Sequence, residues 1–267
     1  MTRVLSGATL LAIAIAVVWF APAGLFFLVA ELLLVLGLVE YVALAKASGL
    51  GVPAVPAGAA AMLTTAAFAR PVFGGFAWAP IDVVLMSALV ALGALSLARW
   101  NGGRDALGGT AAGLFPSLYL GLPVGAMVAI RETRGREALF LLMLTVFVSD
   151  TAQYYSGRAF GRRPLAPAIS PKKTIEGAVG GFICGSLLLA MAGAWWLPAV
   201  PVMLRAVLGV AVVALGIAGD LFESMLKRSA GVKDSSALIP GHGGILDRID
   251  ALLFAAPVYY IVLKYVA

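Results

Sequence analysis

The chain has 267 residues, 62% of them hydrophobic and 12% charged, with a mean hydropathy of +1.01. A soluble domain carries about twice that charged fraction, so a water-soluble globule is excluded, and long apolar runs without strand-like alternation exclude a barrel. The net charge of +6 fits basic loops on one side of a bilayer rather than nucleic-acid binding, and the single Cys184 rules out a disulfide framework or thiolate metal site.

The predicted fold is therefore all-α, a polytopic integral membrane protein with about nine transmembrane helices. They run roughly over 4–20, 24–45, 54–69, 80–98, 108–129, 137–157, 178–196, 202–227 and 247–266. The first follows Met1-Thr2-Arg3 and reads as a retained helix, because a second span begins almost at once. Pro22, Pro53, Pro56, Pro71, Pro80, Pro198 and Pro201 fall at the joints, where a missing amide donor does least harm. The third span is short and alanine-rich, and Pro116 and Pro123 interrupt the fifth. Residues 1–130 are expected to be a helical scaffold, suited to dimerisation. Residues 131–267 are expected to form the catalytic region, with polar loops at 158–177 and 228–246.

Nine spans put 13 of the 19 Lys and Arg residues on one side, which makes that side cytoplasmic, with the N-terminus in and the C-terminus out. The arginines at 131, 134 and 136 run against this count. Glu31 and Glu40 lie in the second span; Glu40 is near enough to the helix end to reach the interface, whereas Glu31 needs a partner or a wet cavity. Asp82 and Asp105 sit at span ends as solvated charges.

In the sixth span Asp150, Tyr154 and Arg158 recur every four residues and share a helical face. Asp150 follows a thoroughly apolar run, Leu139 to Val148, so it is a candidate catalytic group. The loop after it ends in Ser170-Pro171-Lys172-Lys173-Thr174-Ile175-Glu176-Gly177, which offers cations, a hydroxyl and amide donors to a phosphate at a helix start.

Charge is most concentrated between Asp220 and Asp250, where five acids, four bases and the only histidine, His242, occur together. Asp220, Glu223, Ser224 and Lys227 stand at helical spacings and line one face. Asp247 and Asp250 repeat the i, i+3 spacing at the start of the ninth span. Paired carboxylates with a hydroxyl are hard oxygen ligands of the kind magnesium accepts. Lys227, Arg228, Lys233 and Arg248 are cations for phosphate, and Gly243 and Gly244 allow backbone amides to approach an anion. The pattern describes a metal and polyphosphate site.

The stretch Ser224-x-Leu226-Lys227-Arg228-x4-Lys233-Asp234-x-Ser236-x2-Ile239-Pro240-x-His242-Gly243-Gly244-Ile245-x-Asp247-Arg248-Ile249-Asp250 resembles the signature of the phosphatidate cytidylyltransferases, the CDP-diacylglycerol synthases. Ser149-Asp150 and Ser170-Pro171-Lys172-Lys173-Thr174-x-Glu176-Gly177 look like further family elements, with Ile175 where an aromatic is expected. The resemblance covers the C-terminal half strongly and the N-terminal half only by its hydrophobic pattern.

The resemblance implies transfer of CMP from CTP to phosphatidic acid at a cytoplasm-facing site in a bacterial-type inner membrane. It makes Asp220 and Asp247 the principal metal ligands, supported by Glu223 and Asp250. The catalytic set is Asp150, Asp220, Lys227, Arg228, Lys233 and Asp247. Lys172, Lys173, Thr174, Ser224, His242, Gly243, Gly244 and Arg248 bind substrate. It further implies more than one cation, Mg2+ with K+ as a monovalent option, a membrane-lipid environment and a homodimer. Two alternatives use the same residues: a CTP-dependent lipid kinase, and an ion-coupled transporter with intramembrane Asp and Lys.

Overall fold

The computed structural model describes residues 2–69, 72, 79–103, 105–236, 238 and 243–265, with side chains from Gly7 onward. Arg70, Pro71, Arg104 and His242 lie outside the described residues, as does Ile239-Pro240 of the signature. The helices are α1 (Thr2–Phe20), α2 (Ala23–Ala47), α3 (Ala54–Phe68), α4 (Ile81–Arg99), α5 (Ala106–Pro116), α6 (Leu122–Arg134), α7 (Arg136–Phe160), α8 (Ile175–Trp196), α9 (Val202–Ser229) and α10 (Leu246–Tyr265). Among the described residues, six helical segments are long and apolar enough to cross a membrane: α2, α4, α5 through α6, α7, α8 and α9. The other expected spans are helical too, but α3 is only 15 residues long and α10 carries Asp247, Arg248, Asp250 and Lys264. The chain is an integral membrane protein of helical type.

Pro116 and Pro123 do not split the fifth span. Residues Ser117–Gly121 widen into one π-helical turn between α5 and α6, and Ala106–Arg134 runs on as one apolar segment. A proline removes an i→i−4 bond, and a wider turn accommodates the ring without ending the helix. A departure from a wholly helical chain lies in the polar loop after α7. Two short strands, β1 (Pro164–Ala166) and β2 (Ser170–Thr174), pair antiparallel with Pro164 opposite Thr174 and Ala166 opposite Ser170. Strands this short carry too little alternation to be read from sequence.

The chain divides into two compact units: residues 1–133 with 226–248, and residues 134–225 with 249–267. In the first, α2 buries Ala30, Leu34, Leu38, Tyr41 and Ala45, a stripe at helical spacing. Tyr41 Oη donates to Ala112 O at 2.9 Å. The alanine-rich α3 is short but not peripheral: Ala57, Ala61, Thr64 and Thr65 are buried, and Thr65 Oγ1 donates to Gly121 O in the π turn at 3.1 Å. Arg131 is spent inside this unit. Its guanidinium lies over the Phe26 ring at 4.6 Å, donates to Val18 O at 3.1 Å and to Ala21 O, and pairs with Glu132 at 2.5 Å. It is a clamp on the α1–α2 joint, not a loop cation of the kind that sets orientation.

In the second unit α7 and α8 pack as a tight hairpin. Gly177, Gly181 and Gly185 recur every four residues along α8 and face α7. A Cβ on Gly181 would meet Gln153 Cγ at 2.5 Å and Ser149 Oγ at 3.0 Å; one on Gly185 would meet Ser149 Cβ at 3.1 Å. Small residues at this spacing let helix backbones approach where lipid supplies no hydrophobic drive. On α9, Gly219 admits the carbonyl of Asp250 and the Cβ of Phe254 from α10. Phe222 and Phe254 rings lie 5.2 Å apart, and the fully buried Tyr259 donates from Oη to Ala138 O at 3.0 Å.

Replacing Gly181 by leucine should force α7 and α8 apart at a cost of about 1–3 kcal/mol. The expected outcome is a lower thermal-unfolding midpoint in detergent for Gly181→Leu, and none for Ile183→Leu, whose side chain is exposed.

Candidate active site

Two polar clusters, one in each unit, hold most of the residues singled out by sequence. In the second unit the acids come from three helices. Asp220 and Glu223 stand one turn apart on α9, Asp250 lies in the unit's share of α10, which begins at Ile249, and Asp150 belongs to α7. Asp250 lies within electrostatic reach of Asp220, Glu223 and Asp150, and Asp150 within reach of Asp220 and Lys173. Glu223 is fully buried. Gly219 makes this possible: with no Cβ it lets the backbone at Asp250 approach α9 immediately before Asp220.

Lys173 pairs with Asp220 Oδ2 at 2.5 Å, and Ser224 Oγ donates to Asp220 Oδ1 at 3.4 Å. Gln153 Nε2 donates to Asp150 Oδ1 at 3.0 Å. The strand pair explains how Lys173 is aimed. It sits on β2 one residue before Thr174, whose Oγ1 caps α8 by accepting from Gly177 N at 3.1 Å. Glu176 fastens the opposite strand at the same open end of the hairpin, its Oε2 accepting from the backbone N of Arg162 at 3.0 Å and of Arg163 at 3.2 Å. The hydroxyl of Thr174, expected to bind substrate, is thus engaged as a helix cap; Lys172 is exposed.

The cluster in the first unit is built on Asp247 and Glu40. Asp247 Oδ1 accepts from Lys227 Nζ at 2.5 Å, and both side chains are close to buried, at 8% and 11% exposure. Its Oδ2 accepts from Gly244 N at 2.7 Å and Ser235 N at 3.1 Å, with Ser235 Oγ at 2.9 Å. Gly243 adopts φ +75, and a Cβ there would meet Asp247 Oδ2 at 2.5 Å. The glycine pair does bring an amide to an anion, and that anion is the Asp247 carboxylate of the protein itself. Arg228 is exposed, with Nη1 donating to Val232 O at 3.1 Å, and Lys233 and Arg248 are exposed.

Glu40 is the residue that sequence reasoning missed. It does not reach the interface: it is 4% exposed and accepts four hydrogen bonds from the signature stretch. Ser236 Oγ and Ile245 N donate to Oε1 at 2.7 and 2.9 Å, and Ser235 Oγ and Leu246 N to Oε2 at 2.8 and 2.9 Å. The only available signal was an acid inside an apolar helix, which marks a functional candidate without naming its partner. Glu31 is likewise buried, at 7% exposure, and its Oε2 has no hydrogen-bond partner among the described residues.

All these acids offer oxygen donors, the chemistry magnesium requires. Among the described residues no three of His, Cys, Asp or Glu are grouped so as to hold an ion between them.

Known proteins resemble this chain along its length. The sequence model of the Cytidylyltransferase family matches residues 1–266. A phosphatidate cytidylyltransferase of Aquifex aeolicus is 40% identical over 149 residues, 56% of this chain and 54% of that protein. One of Haemophilus influenzae is 50% identical over 131 residues, 46% and 45% of the two chains. One of Brucella suis is 37% identical over 207 residues, 70% and 72%. The matched part of the chain thus spans about half the length of the first two relatives.

Removing one partner of the buried Lys227–Asp247 pair should cost about 3–5 kcal/mol by stranding the other charge. Thermal unfolding in detergent is expected to show Lys227→Met strongly destabilised, with the double variant Lys227→Met/Asp247→Asn recovering part of the loss.

Proposed function

The chain belongs to the Cytidylyltransferase family, and on that footing we propose that it is a phosphatidate cytidylyltransferase, converting CTP and phosphatidic acid to CDP-diacylglycerol and pyrophosphate. The observation that carries this reading is the recurrence of one arrangement: in each unit an aspartate of the signature helices is held by a lysine, Lys173 on Asp220 and Lys227 on Asp247. Such pairs suit a site that exchanges charges. A lysine that turns from carboxylate to phosphate oxygen keeps its charge compensated, and leaves the carboxylate for a cation.

The reaction joins two anions, so its demands are alignment and neutralisation. An oxygen of the lipid phosphate attacks the α-phosphorus of CTP; that bond forms as the α–β phosphoanhydride bond breaks and pyrophosphate departs. No general base is required, because a phosphomonoester is already largely ionised near neutral pH. Lys173 and Lys227 hold phosphate oxygens, with Lys172, Arg228, Lys233 and Arg248 as exposed cations that draw the nucleotide in. Mg2+ would be held in one unit by Asp220, with Glu223 and Asp250 in support, and in the other by Asp247, and would supply neutralisation of the developing phosphate charge. Asp247 already accepts at both oxygens, and Lys227 on Oδ1 is the partner whose place a cation would take. A monovalent K+ is a further cation this chemistry accommodates, and the resemblance suggests a homodimer.

The polar loops are placed in the cytoplasm by the positive-inside count, in a bacterial-type inner membrane with the N-terminus in and the C-terminus out.

In vesicles containing phosphatidate and labelled CTP, the expected products are CDP-diacylglycerol and pyrophosphate; release of CDP instead would identify γ-phosphoryl transfer and defeat the reading. Asp220→Asn and Asp247→Asn should each lower kcat about 100-fold or more, and chelation should abolish turnover until Mg2+ is restored.

A further inference from the structure

We propose that Glu40, contributed by the second helix, is a positioning residue for this reaction: its carboxylate fixes the two ends of the 235–246 stretch, at Ser235–Ser236 and Ile245–Leu246, and thereby the Asp247–Lys227 pair. The role assigned to the stretch rests on the cytidylyl-transfer reading; the clamp itself does not.

The clamp is a helix cap supplied from elsewhere in the chain. The first amides of α10 have no acceptor within their own helix. Two of the amides at this start, Ile245 N and Leu246 N, donate to Glu40 at 2.9 Å each. A negative charge at a helix N-terminus is also favoured by the helix dipole. The same carboxylate takes the hydroxyls of Ser235 and Ser236, so both ends of the stretch are tied to one group. Ser235 then links the clamp to the ion pair. Its Oγ lies 2.8 Å from Glu40 Oε2 and 2.9 Å from Asp247 Oδ2, and its one proton serves one carboxylate at a time. Asp247 in turn holds Lys227 at 2.5 Å. A continuous set of contacts therefore runs from Glu40 through Ser235 to Asp247 and Lys227, all within one compact unit.

Two features show that the fit is to a carboxylate. Each oxygen accepts one hydroxyl and one backbone N–H, so the amide of a glutamine would set its NH2 against a backbone donor whichever way it turned. Gly244 is also filled from outside: a Cβ there would run into Ser235 Oγ and both Glu40 carboxylate oxygens. The glycine of the signature makes room for Glu40.

The test uses the full chain reconstituted in phosphatidate vesicles, with wild type, Glu40→Gln and Ser236→Ala compared by steady-state kinetics and by hydrogen exchange over residues 235–250. Expected for Glu40→Gln is a fall in kcat of about 10–100-fold, the range typical of groups that orient a ligand. KM for CTP should change little, and exchange at Ile245 and Leu246 should be faster. Ser236→Ala removes one donor and leaves both amides bonded, so it should show a smaller fall in kcat with an unchanged unfolding midpoint. Wild-type kcat in Glu40→Gln, or lost kcat with exchange unaltered, overturns the proposal. If Glu40→Gln does not fold, Ser236→Ala decides, and wild-type kcat there overturns it. If wild type forms no CDP-diacylglycerol while Glu40→Gln still exchanges faster at Ile245 and Leu246, the reaction assignment fails and the clamp stands.

Discussion

A buried carboxylate is costly unless donors or cations meet it, and that cost organises the polar part of this protein around Glu40 and Asp247. Leaving one buried group unsatisfied costs about 1–3 kcal/mol, and more when it is charged. Asp247 answers it with Lys227, Ser235 and the amide of Gly244; Glu40 answers it with two hydroxyls and two amides. Both acids draw on the same short stretch, so satisfying them and shaping the signature loop are one event. Asp220 is met by Lys173 from a strand pair, and that hairpin is pinned through Glu176.

The apolar scaffold contributes by controlling how near these groups come. In lipid, helices gain nothing from hiding hydrocarbon, so proximity depends on the absence of side chains. Gly177, Gly181 and Gly185 draw α8 onto α7, where Ser149 and Asp150 lie, and Gly219 lets α10 deliver Asp250 next to Asp220. The π turn at Ser117–Gly121 serves the other unit, placing the carbonyl of Gly121 against Thr65 and the ring of Tyr119 5.0 Å from that of Phe115.

Much of this was legible in the sequence because it is periodic. The apolar spans follow from run length, and the acidic face of α9 follows from the 220, 223, 224, 227 spacing. What periodicity cannot convey is a partner distant along the chain. Glu40 finds Ser235 at a separation of 195 residues, and its place near a helix end suggested solvent. Arg131 looked like a loop cation because the carbonyls it binds, at Val18 and Ala21, lie over a hundred residues earlier. The glycine pair suggests amides that meet a substrate anion, and nothing in the spacing says that the amide of Gly244 is met by Asp247. A division near residue 130 likewise gives no sign that 226–248 packs with the N-terminal helices.

The separation between Glu40 and the stretch it binds also bears on biosynthesis. The ribosome delivers α2 early, and the amides and hydroxyls that will satisfy its acid only after some two hundred more residues have been made. Throughout that interval the carboxylate must rest protonated, hydrated or on a temporary companion, and the final insertion of α10 is what releases it. A product truncated before α10 therefore leaves Glu40 without the amides of Ile245 and Leu246 that receive it in the finished chain.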